Sequence, residues 1–260
     1  MCKVITIANQ KGGVAKSTTA INLGIGLVRQ GKRVLIIDND PQGSCTAALG
    51  YQEPDAMEIT LATIMEKVLN EDEFDLMDGI IHNAEGVDLL PANIELAGVE
   101  TSLIGISCSE TILQEYVELI DSFYDYIVVD CSPNLGQLTI NALTCADSVI
   151  IPVQAAYLPI KGLEQLLKTI SRVKRKLNAK LEIMGILLTM VDYRTNYAKD
   201  IIEFLYSFYG EKIHIFENSI PLSVRAAESA ADGVSIFVHD RSGKVAVAYE
   251  KLTEEVLLNE

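Results

Sequence analysis

The stretch Val4–Thr19, V-I-T-I-A-N-Q-K-G-G-V-A-K-S-T-T, decides the fold. A β-branched run, Val4 to Ile7, precedes Gly12 and Gly13, and Lys16-Ser17-Thr18 follow. Ala20, Leu23, Leu27 and Val28 then recur at helical spacing. Strand, glycine-rich turn, Lys-Ser and helix is the layout of a phosphate-holding loop. Free backbone N–H groups of the turn and the helix N-terminus point at an anion, and the macrodipole adds to the attraction. In that layout Lys16 is a point charge on the β- and γ-phosphates, and the Ser17 hydroxyl ligates Mg²⁺.

Working outward, Val34–Gly43 reads V-L-I-I-D-N-D-P-Q-G. An apolar strand ends in Asp38, and Asp40-Pro41-Gln42-Gly43 turns the chain away. Tyr126–Asn134, Y-I-V-V-D-C-S-P-N, is another apolar strand, ending in Asp130. In open α/β folds ligands bind at the carboxyl ends of such strands, so these carboxylates emerge where the phosphates lie. There a carboxylate can accept a hydrogen bond from an attacking water or from a water on Mg²⁺.

Short apolar runs alternate with longer segments of helical period along all 260 residues. The pattern predicts strands at 4–8, 33–38, 87–90, 126–130, 148–153 and 183–189. It predicts helices at 17–30, 60–69, 93–103, 109–121, 161–177, 197–208 and 243–257. The expected architecture is a doubly wound, mostly parallel α/β sheet with helices on both faces, built as a single domain over residues 1–260. Hydrophobic residues make up 49%, enough for a large core, and no apolar run reaches the ~20 residues of a membrane span. Met1-Cys-Lys-Val4 enters a strand directly, which excludes a signal peptide at this end. Five scattered cysteines without a C-x-x-C pair fit reduced thiols in a cytoplasmic protein. The net charge of −15 argues against a generally basic nucleic-acid binder, unless cations cluster locally.

Lys11-Gly-Gly-Val-Ala-Lys-Ser17 resembles the deviant Walker A motif, K-G-G-x-G-K-[ST], of the ParA/MinD family of ATPases. Lys11 matches the extra lysine of that motif, whereas Ala15 replaces its last glycine. The Asp38–Gly43 turn resembles the family's Walker A′ motif and the Asp130 strand its Walker B motif, with Ser132 in place of a proline. Leu90–Ala97, Ile151–Gln154, Leu188–Met190 with Arg194–Asn196, and Ile220-Pro221 with Arg225 and Glu228 extend the likeness over nearly the whole chain. They favour the ParA/Soj partitioning branch. The acidic ending Glu250–Glu260 would be repelled by anionic lipid, unlike the basic membrane helix of a MinD-like protein. Cys131 lacks the partner that an iron–sulfur branch needs, and the tail has only Tyr249 where a tyrosine-kinase branch clusters tyrosines.

The resemblance implies ATP and Mg²⁺ as cofactors and a homodimer in the ATP state that sandwiches two nucleotides. It implies catalytic roles for Lys11, Lys16 and Asp40, with Lys11 reaching the partner's phosphates. Nucleotide contacts fall on Lys11, Gly12, Gly13, Val14, Ala15, Lys16, Ser17, Thr18 and Pro221, and metal contacts on Ser17, Asp40 and Asp130, supported by Asp38. Adenine contacts are implied around Thr189–Asp192 and Ser219–Leu222. A ParB-like partner would stimulate hydrolysis, and non-specific DNA would be held through Arg194, Lys199 and Arg225, placing the protein on the nucleoid and off the membrane. Leu222 stands where relatives often carry a basic residue.

Ala15 raises a second reading, a nucleotide-poor ParA-fold interaction module without turnover. Alanine held at positive φ costs on the order of 1–2 kcal/mol, and each lost charge-assisted hydrogen bond about 1.5–3 kcal/mol. Together these predict an affinity loss of roughly a hundredfold or more.

Overall fold

The computed structural model describes residues 2–155 and 160–259. The described residues form a seven-stranded sheet of β1 (Lys3–Ile7), β2 (Val34–Asn39), β3 (Ile81–His82), β4 (Asp88–Leu90), β5 (Tyr126–Cys131), β6 (Ser148–Gln154) and β7 (Glu182–Thr189). Helices α1 (Lys16–Arg29), α2 (Ser44–Ala48), α3 (Leu61–Leu69), α4 (Glu95–Ser102), α5 (Ile112–Ile120) and α6 (Gln137–Cys145) fill the first part of the chain. The second part holds α7 (Ile160–Lys176), α8 (Asn196–Tyr209), α9 (Val224–Ala231), α10 (Ile236–His239) and α11 (Lys244–Leu258).

The strand order is β3-β4-β2-β5-β1-β6-β7, parallel throughout except where β3 joins β4 antiparallel at the edge. The central strands read as unbroken apolar runs because both their faces are covered, and successive side chains take opposite sides. Leu35, Ile37, Ile127, Val129, Val149 and Ile151 pack under α3 to α8. Val34, Ile36, Tyr126, Val128 and Ile150 pack under α1, α2, α10 and α11.

β1 lies between β5 and β6. From β1 the chain crosses through α1 to β2, beyond β5; from β5 it crosses through α6 to β6, on the other side of β1. The two crossovers diverge there and leave a crevice at the carboxyl ends of the strands, the place where open α/β sheets bind ligands. Among the described residues no helix is long and apolar enough to cross a membrane.

Each of the six predicted strands is present, with ends displaced by a residue or so. The seventh, β3, has two residues, too few for any periodicity to register. α2, α6, α9 and α10 also fall outside the sequence expectation. α2 and α10 are about one turn long. α6 is buried nearly all round, so its apolar residues trace no single stripe.

Close approach of α1 to α11 depends on Gly26. A Cβ there would fall inside the van der Waals limit of the Thr253 hydroxyl, which is buried and donates to the Tyr249 carbonyl at 2.8 Å. Gly26→Ala is therefore expected to lower unfolding free energy by about 1–3 kcal/mol, read as a lower urea midpoint. Adding Thr253→Ala should recover much of that loss, and additive losses would show that the two residues do not collide.

Candidate active site

The loop between β1 and α1 is fixed from both sides. The Asn9 amide donates to the Pro152 carbonyl at 2.6 Å, and the Lys11 N–H donates back to Asn9 Oδ1 at 2.9 Å. The Thr189 hydroxyl, at the end of β7, donates to the Val14 carbonyl at 3.1 Å. Gly13 and Ala15 both take left-handed backbone conformations, with φ of 68° and 66°. Ala15 is also the N-cap of α1; its carbonyl accepts from the Thr19 N–H at 2.9 Å, but it has no side chain with which to cap. The first-turn N–H groups of α1 are thus left without the Ser, Thr, Asp or Asn oxygen that usually occupies them. No acidic residue stands in that turn.

Around this uncapped terminus the sheet delivers charge. Lys16 is buried, and its ammonium donates to the Lys11 carbonyl at 3.3 Å. Burial lowers its pKa, while Asp130, Cys131 and Asp40 oppose the shift. Asp38 and Asp130 are register partners on β2 and β5, both fully buried. Asp38 Oδ2 accepts from the Thr46 N–H at 2.8 Å and its hydroxyl at 2.7 Å, while Oδ1 accepts from the Asp40 N–H at 3.2 Å. Burial pushes its pKa up to about 7 despite those three donors. Asp130 is raised well above the ordinary carboxylate value, by burial first and then by the charge on Asp38, with the nearby Ser17 hydroxyl offsetting part. Both Asp130 carboxylate oxygens are buried without a hydrogen-bond partner among the described residues. A buried unpaired carboxylate is costly; a cation at that point would relieve it.

A cleft of about 510 Å³ opens beside these groups. Of the residues read from the sequence, Gly12, Gly13, Ala15, Lys16, Ser17, Thr18, Asp40 and Pro221 line it. Val14 does not: its side chain is 1% exposed and packed inward. Lys11 does not line it either, and its ammonium reaches Gln154 Oε1 at 3.3 Å. In the expected adenine region, Met190, Ile220, Pro221 and Leu222 face the cleft, while Thr189 is taken up by the loop. Sequence reasoning missed the far wall, where Ala226, Ala227 and Ala230 of α9 line the cleft. The signal was present as small residues at i, i+1 and i+4 of one helix face, a flat surface suited to a planar group.

The comparisons with known proteins agree with this geometry. A family model described as AAA domain matches residues 2–183. The chain is 42% identical, over the whole of both sequences, to the sporulation initiation inhibitor protein Soj of Bacillus subtilis. The chain belongs to the ParA/Soj family of partitioning ATPases. It is 37% identical to the chromosome partitioning protein ParA of Caulobacter vibrioides, over 99% of this chain and 95% of that one. Among solved structures it resembles one described as cobyrinic acid a,c-diamide synthase from Mycobacterium smegmatis with a bound ATP analog and magnesium. There the TM-score is 0.87 at 35% identity, over 99% of this chain and 94% of that chain.

For a ParA/Soj chain the residues expected to hold DNA sit in an unexpected state. Arg194 is exposed but forks onto Asp192, with Nε and Nη2 each 2.8 Å from a carboxylate oxygen. Arg225 pairs with Glu228 at 3.1 Å. Lys199 is exposed on α8.

The raised pKa of Asp38 has a measurable consequence. The folded chain keeps a proton that the unfolded chain releases between about pH 4 and pH 7. Stability from this group is complete below that window and is lost as pH rises through the folded value near 7. Asp38→Asn keeps an oxygen for both Thr46 donors and carries no charge, but its amide nitrogen cannot accept from the Asp40 N–H, a cost of about 1–3 kcal/mol at every pH. Relative to wild type its urea midpoint should therefore be more favourable at about pH 8 than at about pH 4, by up to about 4 kcal/mol of unfolding free energy. An equal effect at both values would remove Asp38 ionisation as the cause.

Proposed function

We propose that this chain is an ATP-dependent dimerising ATPase of chromosome or plasmid partitioning, acting on the nucleoid in the cytoplasm. The observation that carries the reading is the uncapped α1 N-terminus, with buried Lys16 beside it and beyond it the buried Asp130 carboxylate, near Ser17 but with no hydrogen bond of normal geometry. That combination suits a polyphosphate and a divalent cation together. Among the described residues no group of three His, Cys, Asp or Glu could hold a metal by itself. Mg²⁺ commonly takes one or two carboxylates and completes its shell with water and substrate phosphate. The ATP analog and magnesium in the related Mycobacterium smegmatis structure support the same pair here.

In this reading the free N–H groups of Gly13 to Thr18 bind the phosphates, and Lys16 neutralises charge on the β- and γ-phosphates. Ser17 and Asp130 would hold Mg²⁺, which would supply electrostatic stabilisation of phosphate charge. Asp40, the residue directly after β2 and lining the cleft, would orient the attacking water. Met190, Pro221 and the alanines of α9 take the base. Lys11 points away from its own cleft toward Gln154, an orientation that suits contact with the phosphates of a second subunit across a homodimer. A ParB-like protein would stimulate turnover, and the ATP-state dimer would hold DNA without regard to sequence.

One observation favours the alternative of an interaction module with a poorly filled site: Ala15 holds φ at 66° and lines the cleft, so its Cβ stands where phosphate approaches. Calorimetric titration of Mg-ATP into this chain and into Ala15→Gly separates the readings. The positive-φ strain is already present in the folded loop, so what glycine would recover is the phosphate contact. One regained charge-assisted hydrogen bond is worth about 1.5–3 kcal/mol, so the glycine variant should bind at least about tenfold tighter. Matching affinities would show that the loop accommodates alanine at no cost, and absence of binding by both would remove the ATPase reading. In the glycine background, Asp40→Ala should leave Mg-ATP affinity within about threefold and slow phosphate release by about 100-fold or more. Equal turnover would take Asp40 out of the mechanism.

A further inference from the structure

Thr46 is fully buried in α2 and does not line the cleft, yet its hydroxyl is used twice. Its N–H and its hydroxyl both donate to Asp38 Oδ2, at 2.8 and 2.7 Å. The same hydroxyl accepts from the Ala92 N–H at 3.2 Å. Ala92 follows β4, so one side chain ties together the ends of two paired strands, β2 and β4. The network continues on the other side of the carboxylate. Asp38 Oδ1 accepts from the Asp40 N–H at 3.2 Å, and Asp40 Oδ1 accepts from the Gln42 N–H at 3.0 Å. The Asp40 carbonyl accepts from the Gly43 N–H at 2.9 Å, which closes the turn. Gly43 holds φ at 59°, and a Cβ there would stand 2.9 Å from the Ala92 carbonyl oxygen. The turn thus leans on the same residue that Thr46 bonds. A buried threonine with a satisfied hydroxyl is commonly no more than packing. Here the strand ladder fixes the Asp38 backbone but not its χ angles, and the two donors of residue 46 fix those. With Oδ1 engaged by Gln42, the direction of the Asp40 carboxylate is in turn set by the backbone that Asp38 holds.

We propose that Thr46 is a positioning residue for hydrolysis: acting through Asp38, it holds the turn at Asp40 so that the Asp40 carboxylate can orient the attacking water. The role of Asp40 in that statement rests on the ATPase reading above. Thr46 itself never touches the ligand. Without its hydroxyl, Asp38 Oδ2 loses one of two donors and the Ala92 N–H loses its acceptor. The Asp38 carboxylate is then free to rotate, and the Asp40 N–H on its other oxygen must follow or be left unpaired. A displacement of about 1 Å in a group that positions a reactant is enough to cost about 100-fold in rate. The phosphate loop is held separately, by Asn9, Thr189 and Thr19, and among the described residues those bonds share no member with this network. The loss therefore falls on the chemical step and leaves ground-state binding in place. Serine at position 46 can make the same three bonds, whereas valine matches the shape and keeps only the backbone donor.

The test adds Thr46→Val or Thr46→Ser to the Ala15→Gly chain, so that nucleotide binding is not limiting. In the nucleotide-free protein, amide exchange followed by NMR at Asp40 and Gln42 should quicken by about tenfold or more with valine and stay near the parent value with serine. With Mg-ATP, valine should lower kcat by about tenfold to 100-fold while KM and the calorimetric Kd stay within about threefold. Serine should return kcat to within about threefold of the parent. A threonine that only supports the fold would lower rate and affinity together. The idea is overturned by full kcat in Thr46→Val, by serine as slow as valine, by a loss of affinity that matches the loss of rate, or by undisturbed exchange at Asp40 and Gln42. Should circular dichroism show that valine disturbs folding, Thr46→Cys takes its place; its thiol is a weak donor, so its kcat should fall between those of serine and of Asp40→Ala. A cysteine variant at the parent rate would overturn the idea equally. Absence of turnover in the glycine parent would sink the ATPase reading and take the hydrolytic role with it, whereas turnover indifferent to Thr46 would sink this role alone.

Discussion

Asp38 and Asp130 end neighbouring parallel strands in register, so the hydrogen bonding of β2 to β5 itself holds two carboxylates side by side in the protein interior. Three donors stabilise Asp38, whereas Asp130 has only the nearby Ser17 hydroxyl and the charge of Lys16 to offset its burial. The low-dielectric surroundings that make this pair costly also make any cation placed there worth more than it would be in water. Lys16 is in the complementary position, a buried ammonium with one carbonyl acceptor at 3.3 Å. Lys16 and Asp130 act on each other electrostatically, and the α1 N-terminus stands beside them without a side-chain cap. The site is therefore destabilised by charge in the absence of anion and metal, and what would satisfy it is a ligand carrying both.

That ligand-shaped deficit was readable from the sequence because its parts are local. A strand, two glycines, Lys16-Ser17 and the start of a helix occupy sixteen consecutive positions, and Asp38 and Asp130 each close an unbroken apolar run. Burial on both faces makes such runs unambiguous, and all six are strands in the structure. The far wall of the cleft is different. It is assembled from Met190 and from α9, brought there by tertiary packing, and alanines carry little information about what they face. α2 and α10 are too short, and α6 too evenly buried, to impress a 3.6-residue period on the sequence. Side-chain direction was also beyond reach: Val14 sits in the loop with its side chain packed inward, away from the cleft.

Charge was legible in total and misleading in distribution. A value of −15 describes an average over the whole chain, whereas phosphate backbones respond to charge within about a Debye length, ~10 Å at 0.1 M salt. Arg194 and Arg225, which stood out by resemblance, come with carboxylates already attached. Helix amphipathicity had the larger effect: α7 commits Leu163, Leu166, Ile170 and Val173 to the core, which leaves Lys168, Arg172 and Arg175 exposed on the other face. The positive face is thus a by-product of how the helix is anchored as much as of which residues it contains.

Ala15 shows how far a loop's shape is set by what surrounds it. Thr189 holds the carbonyl just before it, the Thr19 N–H holds its own carbonyl, and Asn9 ties the start of the loop to β6 through Pro152. Together these bonds fix the backbone at residue 15 in the left-handed region whether or not a Cβ is present. Replacing glycine by alanine there leaves the path of the chain in place and adds strain, since each alternative backbone would break a buried hydrogen bond at about 1–3 kcal/mol. An alanine confined in this way costs less than the contacts that confine it, so the loop keeps its form and the strain is carried by the folded chain. A Cβ on the cleft wall meets phosphate only when phosphate arrives. Only the meeting of that Cβ with an arriving phosphate would bear on affinity; the backbone strain belongs to the folded loop itself.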